Sequence, residues 1–329
     1  MLPVEKTDPH TPDSALIKRA AQALARGELV VFPTETVYGL GAHGLMPRAL
    51  ARIFTAKARP TTHPLILHVS DLPMAKSIAR VWPEAAEKIA RAQWPGPVTL
   101  IVEKAEHVPP EATGGGESVG IRIPQNAIAL SLIRALGAPI AAPSANRYQT
   151  LSPTHAKHVD LEGVSLVIDG GPTAHGIEST VIDVRGPIAR ILRPGALGVA
   201  EVRALLGRVD ATPTVADADS VHLAPGMDAK HYAPRARIFF AKSKEVAHRL
   251  IQENRQKTLG VLSHTFDAGE GISFSRRLAN DPHDYGRDLF EALHSADAER
   301  VEVLVVEAVP ETDGWWAVRD RLSRAAHRE

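Results

Sequence analysis

Phe32-Pro33-Thr34-Glu35-Thr36-Val37-Tyr38-Gly39-Leu40-Gly41 follows the apolar run Leu29-Val30-Val31 and decides how the first half of the chain reads. A strand that stops at Pro33 and turns through Thr34, Glu35 and Thr36 leaves two hydroxyls and a carboxylate at its mouth. Gly39 and Gly41 then suit a tight turn or a close backbone approach to a ligand. Outward from this stretch lie further polar segments at strand ends: KARPTTHPLILH (57–68), GIRIP (120–124), APSAN (142–146), GIESTVID (176–183) and RPG (193–195).

The surrounding pattern is α/β. Asp13 caps a helix to about Ala25, with Leu16, Ala20 and Leu24 on one face and Gly27 as its stop. Pro47 opens a short helix over 48–56, with Lys57 and Arg59 just past its end. Strands are expected at 29–32, 65–69, 98–102, 119–123, 139–142, 166–168, 180–184 and 189–192. Helices are expected after Leu72, after Pro83, over 127–136 and near 199–206. Residues 208–234 lose periodicity and read as a linker, long for a passive connection. From Arg237 onward strands at 238–241, 258–263 and 301–308 alternate with helices after Ser243, near 285–294 and after Asp313, which predicts a small, mainly parallel α/β domain.

Composition bounds the chemistry. Thirty-eight Lys and Arg offset 38 Asp and Glu over 329 residues, and aromatic residues make up 5%, which gives little for phosphate tracking or base stacking on a nucleic acid. The chain has no cysteine, which removes disulfides, thiol nucleophiles and zinc–thiolate sites and suits a reducing compartment. The start of the sequence has no signal-peptide pattern, and no run has the roughly 20 apolar residues of a membrane span, so a cytoplasmic location is expected.

Several residues call for an account. Lys57 and Arg59 share a face if extended, and read either as a solvated pair after a helix or as cations facing anions. Arg122 sits between Ile121 and Ile123 in a strand, so it needs an anionic partner or an open cleft. Ser144-Ala145-Asn146 and Ser179-Thr180 read equally as turns or as ligand contacts at a sheet edge. His68, on an apolar strand, reads first as a core histidine. His155 and His158 are three apart with no third metal ligand nearby in sequence, so no dedicated metal site is expected. There is no Walker loop, no G-x-G-x-x-G after a strand and no G-x-S-x-G elbow.

Taken together, in this order and spacing, the segments resemble the YrdC/TsaC family of threonylcarbamoyl-AMP synthases, and APGMDAKHYAP (224–234) resembles the linker of its long, two-domain form. The resemblance implies a YrdC-type open twisted sheet of mixed and antiparallel strands at 1–208, a linker or lid at 209–235 and a Rossmann-like domain at 236–329. It implies synthesis of threonylcarbamoyl-AMP and pyrophosphate from L-threonine, bicarbonate or CO2 and ATP, for tRNA modification. Mg2+ is expected with ATP, with no tightly bound cofactor, and a downstream transferase is the expected recipient of the product, without stable tRNA binding by this chain.

The resemblance also implies roles. Lys57 and Arg59 neutralise phosphates, with Ser144 and Asn146 in support; Arg122 takes the threonine carboxylate. Thr34, Thr36, Tyr38, His68, Ala142 and Ser179 form the threonine and bicarbonate pocket. His63, Ser118, Ser152, Arg193 and Tyr232 serve the nucleotide, Tyr232 as part of a lid whose truncation in Tyr232→Ala is expected to spare the fold. Two other readings stand beside this one, a carbamoyltransferase working through a carbamoyl-adenylate and an RNA-binding module. The missing cysteines and the length oppose the first, the charge balance the second.

Overall fold

The computed structural model describes residues 2–212, 223–226, 228, 231–268 and 272–327. The first body carries β1 (Val4–Lys6), β2 (Leu29–Pro33), β3 (Tyr38–His43), β4 (Ile66–His68), β5 (Val98–Glu103), β6 (Ser118–Arg122) and β7 (Ile140–Ala141). It continues with β8 (Val164–Asp169), β9 (Thr180–Asp183), β10 (Ala189–Arg193) and β11 (Val209–Asp210). These form one sheet in the order β1-β8-β2-β3-β7-β4-β6-β5-β9-β10-β11. Its pairs include antiparallel ones, such as the hairpin of β2 with β3, and parallel ones, such as β4 with β6. This is the mixed, twisted sheet expected. β11 pairs in parallel with β10, so the sheet runs two residues past the expected boundary at 208.

Local signals explain the helices. The Asp13 carboxylate accepts from the Ala15 and Leu16 amides and starts Ser14–Ala25, and Asn126 caps Ala127–Leu136 in the same way. These two helices cover one face of the sheet through Leu16, Leu24, Leu132 and Ile133 against Val30, Phe32 and Ile168. The helix Pro47–Lys57 covers the opposite face with Leu50, Ile53 and Phe54. Lys57 is its last residue rather than one beyond it.

The tight-turn option at the two glycines is overturned. Gly39 and Gly41 lie inside β3, and the reason is room. A Cβ on Gly41 would stand 2.7 Å from the Phe32 ring, and one on Gly39 would stand 3.1 Å from the Ala142 methyl. That clearance lets the 143–145 segment zip onto β3, with the Leu40 amide donating to Pro143 O and the Ala145 amide to Tyr38 O, both at 2.8 Å. Ser144 is thereby fixed beside the Thr34–Thr36 turn.

The second body has β12 (Arg237–Ala241), β13 (Leu259–Ser263), β14 (Phe274–Arg277) and β15 (Val303–Glu307), all parallel in the order β12-β15-β13-β14. Its helix Pro282–Ala298, capped by Asp281, starts earlier and ends later than expected. The two bodies are not loosely tethered. Leu151, Ile177 and Tyr232 join Tyr285, Leu289, Phe290 and Trp315 in one buried apolar cluster. Of the expected linker, residues 213–222, 227, 229 and 230 lie outside the described residues. Among the described residues no helix is long and apolar enough to cross a membrane.

Candidate active site

At the carboxyl ends of β4 and β6 the sheet opens into a cavity of about 50 Å3. Its floor is the turn after β2. The Thr34 hydroxyl lies 2.9 Å from that of Thr36 and donates to Val37 O at 2.7 Å, which holds both hydroxyls inward. His68 and Arg122 stand opposite each other in the parallel β4–β6 ladder and both line the cavity, with Ala142, Ser144 and Ser179.

Arg122 has the anionic partner its position demanded, and the partner is Glu35. Nη2 lies 2.6 Å from Glu35 Oε1, Nη1 donates to Thr36 Oγ1 at 3.0 Å and Nε to Gly96 O at 3.3 Å. Nη2 carries two N–H groups, so its pairing with Glu35 does not exhaust its donors. His68 Nδ1 is buried without a hydrogen-bond partner among the described residues. Burial, then the nearby Arg122, pushes the imidazole pKa down to about 3, so the ring is neutral at ordinary pH.

The other wall is cationic. Arg59 donates from Nη2 to Pro64 O at 3.0 Å, and burial lowers its pKa to about 10 despite the opposing charge of Asp228. Arg193 grips the Ser179 carbonyl with Nε and Nη2, at 3.2 and 2.8 Å, and reaches Pro225 O with Nη1 at 3.2 Å. Pro225, Gly226, His231 and Tyr232 close the top. Gly226 has φ +79°, and a Cβ there would stand 2.6 Å from the Tyr232 hydroxyl, so only glycine lets the closing segment seat.

Other expected contacts stand behind this wall. Lys57 is buried, and its ammonium donates to Ser144 O at 2.5 Å and to Asn146 O. Burial and then Arg59 hold its pKa well below the ordinary value. Asn146 turns its amide to Arg147 O and Thr150 O. Tyr38 points away, donating to Gly171 O at 2.6 Å. Ser118 starts β6, at the end opposite Arg122. The Ser152 hydroxyl donates to Glu178 Oε1 at 2.5 Å, and His63 lies 3.8 Å from Asp228 of the closing segment. Tyr232 is 1% exposed within the interdomain core, so Tyr232→Ala would leave a cavity between the two bodies as well as open the lid.

The sequence reading missed residues that only the fold brings in. Glu178 lines the cavity, and its carboxylate is held by Arg321 from the last helix of the second body, Nε to Oε2 at 2.7 Å. The same guanidinium lies 5.1 Å over the Tyr232 ring. Burial raises the Glu178 pKa, but Arg321, Arg193 and the Ser152 hydroxyl reverse this and leave it below the usual range. Tyr148 bonds Asp228 and packs edge-on against His63 at 5.4 Å. Glu291, on Pro282–Ala298, stands beside His155 and His158, an approach that no local spacing rule could reveal.

Comparisons with known proteins agree with this architecture. A family model described as telomere recombination matches residues 22–195, and one described as the threonylcarbamoyl-AMP synthase C-terminal domain matches 197–327. The chain is 38% identical to the threonylcarbamoyl-AMP synthase of Bacillus subtilis, over 98% of this chain and 96% of that one. It is 40% identical to that of Pyrococcus abyssi, over 94% of each. Its structure superposes on P. abyssi Sua5 complexed with L-threonine with a TM-score of 0.91, covering 98% of this chain and 97% of the other at 38% identity.

Proposed function

The chain belongs to the threonylcarbamoyl-AMP synthase family, and on that footing we propose that its closed cavity joins L-threonine, bicarbonate and ATP into threonylcarbamoyl-AMP, releasing pyrophosphate and water. The observation that carries the reading is the convergence of three buried guanidiniums, Arg59, Arg122 and Arg193, on one cavity in a chain of zero net charge. A threonine carboxylate, a carbamate and a triphosphate are the anions such a site suits.

The geometry supports a division of labour. Arg122 presents Nη2 to the threonine carboxylate, while Glu35 and Thr36 fix the plane of its guanidinium. Neutral His68 and the Thr34–Thr36 hydroxyls face the amine and the carbamate formed on it. The carbamate oxygen attacks the α-phosphorus and the bond to pyrophosphate breaks, so no protein nucleophile is needed. Arg59 and Arg193 take the phosphate charge, aided by Ser144. Lys57 acts one layer back: its ammonium holds the Ser144 and Asn146 carbonyls and so sets the loop beneath the phosphates. Glu178 at the cavity wall and Glu35 behind Arg122 are each held by an arginine. Mg2+ accordingly enters as the ATP complex rather than in a carboxylate cage.

Small-molecule sites typically occupy about 300–1,000 Å3, far above the 50 Å3 here, so the closing group of Pro225, Gly226, His231 and Tyr232 must lift for ATP to enter. Its return excludes water from the carbamate and the mixed anhydride. The testing experiment measures pyrophosphate release from ATP with threonine and bicarbonate omitted in turn, and the mass of the quenched product. Release needing both, with a threonylcarbamoyl-adenylate mass, supports the proposal. Release that needs carbamoyl phosphate instead of threonine overturns it.

A further inference from the structure

Away from the cavity, the two bodies meet at a second polar cluster. His155 and His158 bracket the short turn Ala156–His158, on the first body. Glu291 projects from Pro282–Ala298, on the second. His155 Nδ1 lies 3.0 Å and His158 Nε2 2.9 Å from the same carboxylate oxygen, Glu291 Oε2. That oxygen is buried and makes no aligned hydrogen bond with either ring among the described residues. The other oxygen, Oε1, accepts from Lys157 Nζ at 2.9 Å.

Two imidazole nitrogens and a carboxylate oxygen pointed at one place are the donor set of a zinc-type site with an open position. The span of the three donors suits that role. All three donor atoms lie within 4.8 Å of one another, the span that ligands around one ion require. The His158 ring stacks on His294 with centroids 3.8 Å apart and an interplanar angle of 14°, and His294 Nε2 lies 3.1 Å from Ser152 O. Such backing fixes the plane of a ligand ring. An open groove lined by Thr154, His155, Thr173 and Glu291 gives an ion and a water access to the cluster.

We propose that His155, His158 and Glu291 bind a divalent transition metal of the zinc class, which staples the second body to the first. The ligands come from both sides of the interface, so the full set exists only when the two are docked. Mg2+, which prefers oxygen donors and near-octahedral geometry, does not suit this set. The staple also reaches the active site's supporting layer: Ser152, whose carbonyl faces His294, donates its hydroxyl to Glu178 at the cavity wall.

The test uses the full chain, stripped with a chelator and titrated with Zn2+ against a chromophoric competitor, with Mg2+ as control. One Zn2+ per chain is expected, with a rise in the thermal midpoint that Mg2+ does not reproduce. Glu291→Gln and His158→Asn should each weaken binding by at least ~100-fold, because even outer partners of metal ligands are worth roughly 10–100-fold. Both should abolish the thermal shift. Midpoints measured without metal show whether each variant is folded. Lys157→Ala keeps all three ligands and removes the competing ammonium, so it should bind at least as tightly as the parent. Absence of a Zn2+ equivalent in the parent, unchanged binding in Glu291→Gln, or loss of binding in Lys157→Ala each overturns the proposal.

Discussion

Arg321 and Glu178 form a buried ion pair between the two bodies, with Nε 2.7 Å from Oε2, the guanidinium 0% exposed and the carboxylate at the cavity wall. The second body therefore supplies part of the active site's support, not just a platform for the linker. Losing one partner of such a pair strands the other charge, which costs far more than the pair contributes over a well-packed apolar substitute.

Arg321→Met is expected to destabilise the protein by about 3–5 kcal/mol and to lower kcat. Combining it with Glu178→Gln should recover part of the stability, because no buried charge is then left unpaired. Urea denaturation of the two single variants and the double variant measures this. A loss below about 1 kcal/mol in Arg321→Met, the range of exposed pairs, would show that the pair is solvated in solution.

Arg122→Lys keeps the charge and loses the fork that binds Glu35, Thr36 and a ligand carboxylate at once. A hydrogen bond to a charged group is worth about 1.5–3 kcal/mol, so KM for threonine should rise roughly 10–100-fold. KM for ATP should stay near the parent value. Steady-state kinetics with each substrate varied separates the two, and a rise confined to ATP would move Arg122 to the nucleotide.

Selectivity between threonine and serine rests on one methyl, against wall residues such as Val37 and Ala142. A single methyl group is worth about 1–3 kcal/mol, so serine should be used with kcat/KM lower by only about 10–200-fold. Competition between the two amino acids, read by product mass, checks it. Discrimination well beyond that range would require a polar contact to the threonine side chain.

Stability should fall on mild acidification through His68. The unfolded chain takes up a proton below the ordinary value of 6.5, whereas the buried ring does so only near 3. The contribution is therefore present in full above pH 6.5. It is lost at about 1.4 kcal/mol per pH unit as pH falls toward 3. His68→Gln should flatten the stability profile between pH 7 and 5 by that slope. Parallel profiles for the two proteins would mean that His68 titrates normally.

The closing segment carries Asp228, whose charge opposes the lowering of the Arg59 pKa and which bonds Tyr148. On the proposal that Arg59 takes phosphate charge, Asp228 competes with ATP for that guanidinium. Asp228→Asn should lower KM for ATP by about 2–5-fold, the effect of an ion pair worth up to ~1 kcal/mol. A higher KM would show that Asp228 assists binding instead.

Much of this molecule was legible in its residues, for local reasons. Asp13, Asn126 and Ser243 start helices wherever their side chains can reach the first free amides, and Arg122 between two isoleucines demanded a partner. What escaped notice lacks a local signature. β1 is exposed along its length and β14 nearly so, and neither shows an apolar alternation. The pairing of Glu178 with Arg321 and the approach of Glu291 to His155 depend on how the two bodies dock. Lys57 shows the opposite limit: motif and position marked it as important, but only the fold reveals that its ammonium faces carbonyls behind the wall.

The shut cavity has a consequence for anyone seeking to inhibit the protein. On the proposed lifting of that segment, a compound would bind only the open fraction of molecules, and its measured affinity would be the intrinsic one weakened in proportion to how rarely the segment opens. Potency in a screen would then report the opening equilibrium as much as the fit of the compound. Compounds that wedge under Pro225 and Gly226 would pay that same penalty and, once bound, hold the protein in the open form.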